Sequence, residues 1–151
     1  MLAATLASAL ALAFAPAPAA LDAVAGGPVS CVDDAAWAVS FPAPVAAARG
    51  LYDTVNHAIY LRSAECERLQ LLLAGARPSS VWHQYDFASA LFLFAHELAH
   101  ARGVDDEGQA DCAAGRSFLR LAAALGVGPG YARVLAGYLV NARIAPDCYP
   151  S

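Results

Sequence analysis

The chain has 151 residues, a formal net charge of −4 and 59% hydrophobic residues. This length suits one domain with a substantial hydrophobic core. All nine basic residues are arginine and they form no basic cluster, so nucleic-acid binding is not expected. Alanine, the residue with the highest helix propensity, is abundant, which favours a helix-rich fold.

Residues 1–20 have features of a secretory signal peptide. Leu2 to Ala15 is an apolar segment, and Ala17-Pro18-Ala19 has the A-x-A pattern of a cleavage site. The segment is shorter than the roughly 20 residues that a transmembrane helix needs. No basic residue precedes Arg49, so the usual positive start is missing and an uncleaved anchor is the alternative. We predict an exported domain, residues 21–151, that is not stably inserted in a membrane once the signal is removed.

The first half of this domain is predicted to hold few regular elements. Leu21 to Pro44 is rich in Ala, Gly and Pro and is predicted to be an irregular lead-in. Gly50 to Arg62 is predicted to form a β-hairpin, because strand-forming residues flank a run of turn formers. A helix is predicted from Ala64 to Ala74, with Ser63 as its cap and Gly75 just beyond its end.

Three helices are predicted in the second half. The first starts at Ser80 or Asp86 and ends at Gly103, and its apolar middle indicates burial on most sides. Asp105 or Asp106 is expected to cap the next helix, from Glu107 to Leu125, and a last helix spans residues 130–142. The expected fold class is α+β, mostly helical, with a β-hairpin or small sheet packed on the buried helix.

Four cysteines follow the predicted cleavage site, and all are widely spaced: Cys31, Cys66, Cys112 and Cys148. The absence of a CxxC pair argues against a structural zinc knuckle. An even number of cysteines in a small exported domain predicts two disulfides, and three pairings are possible. Cys112 lies beside Asp111 and is alternatively a metal ligand.

The most informative motif is the HExxH string His96-Glu97-Leu98-Ala99-His100. Histidines four residues apart on a helix lie on one face, about 5–6 Å apart at Cβ. Both imidazoles can therefore reach one metal ion at about 2.0–2.1 Å, the usual Zn–N distance. Glu97 is placed to act as a base on water rather than to bind the metal. The string predicts a catalytic zinc site.

A catalytic zinc needs three protein ligands and one open position. Glu107 and Asp111 are four residues apart and share a face of the following helix. A tight helical hairpin would bring Glu107 to His100, so Glu107 is predicted to be the third ligand. Asp111 is predicted to accept a proton from a ligand histidine and so fix its tautomer.

HELAH followed by an ExxxD helix resembles the gluzincin branch of the zincin metallopeptidases. The resemblance covers residues 96–111 and implies a zincin-like minimal domain, with His96, His100 and Glu107 on zinc and Glu97 as the base. The chain is also similar to small exported actinobacterial proteins with an HExxHxxGxxxE arrangement. In larger gluzincins the second histidine and the glutamate are much further apart than here.

A second assignment of the third ligand stays open. HELAHARGVDD also matches the metzincin pattern HExxHxxGxxD, in which Asp106 would bind the metal. Metzincins need a methionine turn beneath the metal, and this chain has no methionine after Met1. Glu107 is therefore the expected ligand and Asp106 the alternative.

The resemblance implies that the protein hydrolyses peptide bonds of a peptide or protein substrate with Zn²⁺ as cofactor. Glu97 would take a proton from the zinc-activated water and pass it to the leaving amine. A strand such as His57 to Leu61 is a candidate for binding an extended peptide at a sheet edge. The alternative is a non-catalytic zinc-binding module of the same fold, since a fold and a site do not guarantee turnover.

Overall fold

The computed structural model describes residues 14–16, 18–141 and 148, so most of the predicted signal segment lies outside the described residues. The fold is α+β and mostly helical, as the sequence predicts. In chain order the elements are β1 (Phe14–Pro16), α1 (Ala19–Ala25), β2 (Val29–Val32), α2 (Asp34–Ser40), a 3-10 helix (Val45–Ala47), β3 (Gly50–Asp53), β4 (Ala58–Arg62), α3 (Ser63–Leu73), α4 (Val81–Ala101), α5 (Glu107–Ala124) and α6 (Pro129–Asn141).

The four described strands form one mixed sheet in the order β1-β2-β4-β3. The predicted hairpin is confirmed as antiparallel β3 and β4, in which Tyr52 lies opposite Ile59. On its other side β4 pairs in parallel with β2. The prediction that the strand at His57–Leu61 binds a peptide at a sheet edge is therefore wrong, because β4 is central. Among the described strands, β3 is the edge strand on this side of the sheet.

The prediction of an irregular lead-in over Leu21–Pro44 is also wrong. This stretch contains most of α1 and all of β2 and α2. Asp33 caps α2, since its carboxylate accepts a hydrogen bond of 2.8 Å from the Ala36 N–H, and Trp37 within the helix is fully buried. These elements are four to seven residues long. Such short segments show little periodicity, and tertiary packing decides their structure.

Helix α3 begins one residue earlier than predicted. Arg62 occupies its N-cap position and makes no side-chain capping hydrogen bond, so the predicted capping role of Ser63 is wrong. Gly75 lies just past the helix end at φ 91°, as predicted for a helix terminator. Leu69 and Leu72 of this helix are fully buried and supply the predicted apolar stripe.

Helix α4 is 21 residues long and packs against α3, α5 and α6. The Ser80 hydroxyl accepts a hydrogen bond of 3.3 Å from the His83 N–H and caps its start. Leu91 and Phe94 are fully buried, which confirms the predicted burial of its middle. Gly103 follows the helix at φ 89°, a conformation that favours glycine, and allows the chain to turn into α5 within a few residues.

Two disulfides join Cys31 to Cys66 and Cys112 to Cys148, which selects one of the three possible pairings. The first links β2 to α3, and the second links α5 to the segment after α6. Because Cys112 is disulfide-bonded, it is not a free thiolate that could bind metal. Two disulfides in a domain of this size are compatible with an extracytoplasmic location.

No helix in the described part of the chain is both long enough and apolar enough to cross a membrane.

Candidate metal centre

Two neighbouring helices bring three side chains to one point. His96 and His100 lie one turn apart on α4, and their Nε2 atoms are 2.9 Å from each other. Glu107, in the first turn of α5, places Oε2 3.0 Å from Nε2 of His96 and Oε1 3.6 Å from Nε2 of His100. The candidate ligand atoms of these three residues all lie within 4.8 Å of one another.

The other nitrogen of each imidazole faces a hydrogen-bond acceptor. Nδ1 of His100 is 2.6 Å from the carbonyl oxygen of Val104, which can only accept, so Nδ1 carries the proton. Nδ1 of His96 is 2.8 Å from a carboxylate oxygen of Asp111 and donates to it in the same way. In the neutral form of either ring, Nε2 then carries no proton and has a free lone pair.

These assignments test whether the residues fit a metal ion. When both rings are neutral, two imidazole lone pairs and the Glu107 carboxylate face one another with no hydrogen-bond donor between them, an unfavourable arrangement that a bound cation or a proton on one ring relieves. Ligand atoms around a tetrahedral zinc at about 2.0–2.1 Å are separated by about 3.3 Å. The two Nε2 atoms are 2.9 Å apart, and each lies 3.0 or 3.6 Å from a different oxygen of the Glu107 carboxylate, so small side-chain shifts would bring the three residues to that spacing. The group fits a metal ion with two nitrogen ligands and one oxygen ligand.

Access to this group is one-sided. The side chains of His96 and His100 are 13% and 16% exposed, whereas that of Glu107 is 80% exposed. The imidazoles are thus held by the protein interior, and Glu107 closes the group from the solvent side. The group is therefore reached from the side on which Glu107 lies.

Asp106, the alternative third ligand, has a different role in the structure. Its Oδ1 accepts a hydrogen bond of 2.8 Å from the Gln109 N–H, and the residue is the N-cap of α5. It does not belong to the metal-binding group that the described residues form. The geometry therefore favours Glu107 over Asp106.

Glu97 is almost completely buried, with 5% of its surface exposed. Burial raises the pKa of its carboxyl above the ordinary value, and the charges of His96 and His100 and a hydrogen bond from the Tyr52 backbone N–H oppose this only in part. The close approach of β3 depends on Gly50, because a Cβ there would lie 3.1 Å from Oε1 of Glu97. The carboxylate is held beside the two imidazoles by the edge strand.

The three-residue group lies in a cleft of about 670 Å³. Strand β3 and the loop before it form one wall, α4 forms the floor and the start of α5 forms the other wall. The charged and polar side chains that line the cleft include those of Arg49, Ser89, His96, Glu97, His100, Glu107 and Asp111. Phe92 and Leu93 add an apolar stretch to the floor. The α4 residues that line it run from Ser89 to His100, about 16 Å along the helix axis.

The other two histidines lie outside the candidate metal-binding group. His57 is in the β3–β4 turn at φ 50°, with Nδ1 2.9 Å from the hydroxyl of Tyr52. His83 is in the first turn of α4, with Nδ1 2.8 Å from the hydroxyl of Ser80. The hydrogen bond from the Tyr52 backbone N–H to Glu97 could not be predicted from the sequence. Every residue except proline has a backbone N–H, so the residue type does not indicate such a contact.

Sequence reasoning also missed a buried acid. Glu65 of α3 is 3% exposed and is paired with Arg49 and Arg68. The available signal was its position on the apolar stripe of α3, four residues before Leu69, where an acid is not expected.

Comparison of the chain with models of protein families, with curated proteins and with solved structures finds no match. The functional argument therefore rests on the geometry of the site.

Proposed function

We propose that the protein is an exported, zinc-dependent metallopeptidase with a zincin-like minimal domain. The observation that carries this proposal is the meeting of two imidazole lone pairs and a carboxylate beside a buried glutamate, at the floor of an elongated cleft. Each part of that arrangement has a use in metal-assisted hydrolysis. The N₂O set of ligands and the spacing of the ligand atoms favour zinc among the divalent metals.

His96, His100 and Glu107 are the residues that would hold the ion. When bound, Zn²⁺ supplies a Lewis acid that lowers the pKa of water and polarises a carbonyl group. Asp111 and the Val104 carbonyl keep both imidazoles in the tautomer whose Nε2 is free to coordinate. These hydrogen bonds also fix the ring planes, so the ligand atoms are arranged before the ion arrives.

Glu97 is proposed to be the general base and then the general acid. Its buried carboxylate is more basic than that of an exposed glutamate, since burial disfavours the charged form. It takes a proton from water and passes it to the leaving amine. The Tyr52 N–H and the tight packing around Gly50 limit the positions that this carboxylate can adopt.

An extended peptide is the substrate that the cleft suits best. Strand β3 forms one wall, and its backbone groups facing away from β4 pair with no other described strand. Of these groups, the Tyr52 N–H already donates to Glu97. An extended chain can bind such an edge by backbone hydrogen bonds, independently of its sequence. The scissile carbonyl would then lie over His96 and His100.

The first experiment is to load the purified protein with Zn²⁺, measure metal content and screen a peptide library for cleavage. We expect about one zinc per chain and hydrolysis of some peptides. Glu97→Gln should keep the metal and lower kcat by about 10²- to 10⁴-fold, the usual contribution of a general base. Glu67→Gln, an exposed substitution of the same type on α3, is the matched control and should change neither quantity.

A non-catalytic zinc-binding module could have the same three metal ligands. Wild-type protein that holds one zinc but cleaves no peptide would support that function and end the peptidase proposal. Full activity in Glu97→Gln would remove Glu97 from the role of base. Failure of wild-type protein to bind zinc would contradict both functions.

A further inference from the structure

Arg49 lies at one end of the cleft, immediately before β3. Its Nε donates a hydrogen bond of 2.7 Å to Oε1 of Glu65, its Nη2 is 2.6 Å from the same oxygen, and its Nη1 donates to the Ser89 hydroxyl at 2.9 Å. A guanidinium has five N–H donors, so these three contacts leave two. The side chain is 44% exposed and lines the cleft, which makes those two donors accessible to a bound molecule.

The acid that holds Arg49 is buried. The side chain of Glu65 is 4% exposed, and its single charge is shared between Arg49 and Arg68, whose Nη1 is 3.0 Å from the same Oε1. Oε2 of Glu65 has no hydrogen-bond partner among the described residues. This is not the bidentate pairing that makes an ion pair most favourable, and burial of the carboxylate is costly. Nη2 of Arg68 also lies 3.7 Å from Oδ2 of Asp86, so the two arginines are matched by two acids. The arrangement positions the Arg49 guanidinium, and its two remaining N–H donors are what a bound carboxylate would meet.

The distance between Arg49 and the candidate metal ligands can be expressed as a number of substrate residues. Ser89, which binds Nη1, and His96 are seven residues apart on α4, or about 10.5 Å along the helix axis. An extended chain advances about 3.3 Å per residue, so this distance corresponds to about three residues. Phe92 and Leu93 form an apolar floor between the two points. Arg49 is the one arginine among the described residues that line the cleft.

We propose that Arg49 binds a carboxylate of the substrate about three residues from the scissile bond. Since it names a substrate class for the same cleft, this inference rests on the proposed peptidase function. The carboxylate has two possible sources, the free C-terminus of a short peptide or an Asp or Glu side chain. Arg49 is then a specificity-determining residue, and Glu97 acts at the scissile bond of the same substrate, beside the residues that would hold the metal.

The test compares matched peptides on zinc-loaded, full-chain protein, by equilibrium binding and by cleavage. One pair of Ala- and Leu-based hexapeptides differs only in a free or amidated C-terminus. A second, amidated series carries Asp or Asn at each successive position. The proteins are wild type, Arg49→Gln, Arg49→Lys and the control Arg133→Gln, which removes an exposed arginine of α6 outside the cleft. Circular dichroism and zinc content are recorded for every variant.

We expect wild type and Arg133→Gln to prefer the carboxylate peptide by about 10- to 100-fold, the usual range for a charge-assisted hydrogen bond. Arg49→Gln should abolish the preference. If that variant does not fold, Arg49→Lys is the test. It keeps a positive charge near Glu65 but lacks the planar guanidinium that binds a carboxylate through two N–H groups, so it should lower the preference for the carboxylate peptide. A carboxylate bound directly to zinc would be insensitive to both substitutions. Preference for a free C-terminus, or for Asp at one position, identifies the source.

Failure of this inference is distinguishable from failure of the proposed function. Cleavage with no carboxylate preference, or with the same preference in both Arg49 variants, overturns the role of Arg49 and leaves the peptidase in place. Arg49-dependent binding without cleavage supports the role of Arg49 and removes the peptidase. Protein that neither binds nor cleaves any of these peptides overturns both.

Discussion

Nδ1 of His96 and Oδ1 of Asp111 lie 2.8 Å apart, although 15 residues separate them along the chain. This hydrogen bond joins the C-terminal third of α4 to the second turn of α5. It sets the tautomer of one candidate metal ligand and helps to hold the two helices together. The effects of changing Asp111 should therefore appear in metal binding before they appear in catalysis.

Asp111→Asn should lower the affinity for zinc by about 10- to 100-fold, the usual effect of losing the carboxylate behind a ligand histidine. The amide accepts a proton less strongly and can donate to Nδ1, which would move the ring proton to Nε2. Competition with a chromogenic chelator measures the affinity. Asp105→Asn is the matched control, since it removes a neighbouring negative charge from the cleft with no contact to His96. An equal loss of zinc affinity in both variants would mean that net charge, and not the hydrogen bond to His96, causes the effect.

The structure separates the two candidate third ligands. Glu107→Ala should abolish stoichiometric zinc binding at micromolar protein, because only two imidazoles remain. Asp106→Ala should keep the zinc and lose about 1 kcal/mol of unfolding free energy, the usual effect of removing an N-cap. Metal analysis and urea unfolding of both variants measure the two effects. The opposite pattern of metal loss would identify Asp106 as the ligand.

Gly50→Val should be destabilising and should impair the site. A Cβ at position 50 would lie 3.1 Å from both Oε1 of Glu97 and Cδ2 of Leu61, so the neighbours must move. We expect a loss of about 1–3 kcal/mol in unfolding free energy, as for other overpacked interiors, together with a lower kcat. Gly137→Ala in α6 is the control, since an added Cβ there meets nothing within 4 Å. That change should leave kcat unaltered and stabilise the helix by about 0.5–1 kcal/mol.

Removing either disulfide should destabilise the domain substantially. The Cys31–Cys66 and Cys112–Cys148 bonds close loops with sequence separations of 35 and 36 residues. The chain-entropy relation for loops of this length gives about 4 kcal/mol for each bond. Unfolding in urea of the variants Cys31→Ala/Cys66→Ala and Cys112→Ala/Cys148→Ala tests this value. Unchanged midpoints would mean that the bonds are not formed in the purified protein.

The second half of the fold was predictable because its signals are local. The boundaries of α4 and α5 follow from Ser80, Gly103 and Asp106, each of which acts on the chain next to it. The hairpin of β3 and β4 follows from strand formers around a turn. The tight connection between α4 and α5 was also expected, and it is what brings Glu107 beside the two histidines.

What the sequence did not reveal depends on contacts between distant segments. The place of β4 in the centre of the sheet is set by pairing with β2, about 30 residues earlier, and no local pattern encodes it. The structure of the segment before β3 is likewise decided by packing around Trp37 and Leu21. Arg49 received no role from the sequence, because the importance of an arginine depends on the acid that it meets.

The imidazoles of His96 and His100 belong to a buried helix, whereas Glu107 extends from an exposed first turn. In the proposed metallopeptidase a chelator would therefore reach the ion from the side of Glu107. The Cys31–Cys66 and Cys112–Cys148 disulfides involve none of the three candidate ligands, so removal of the ion would leave both bonds in place. The activity of the proposed metallopeptidase would then follow the concentration of free metal around it.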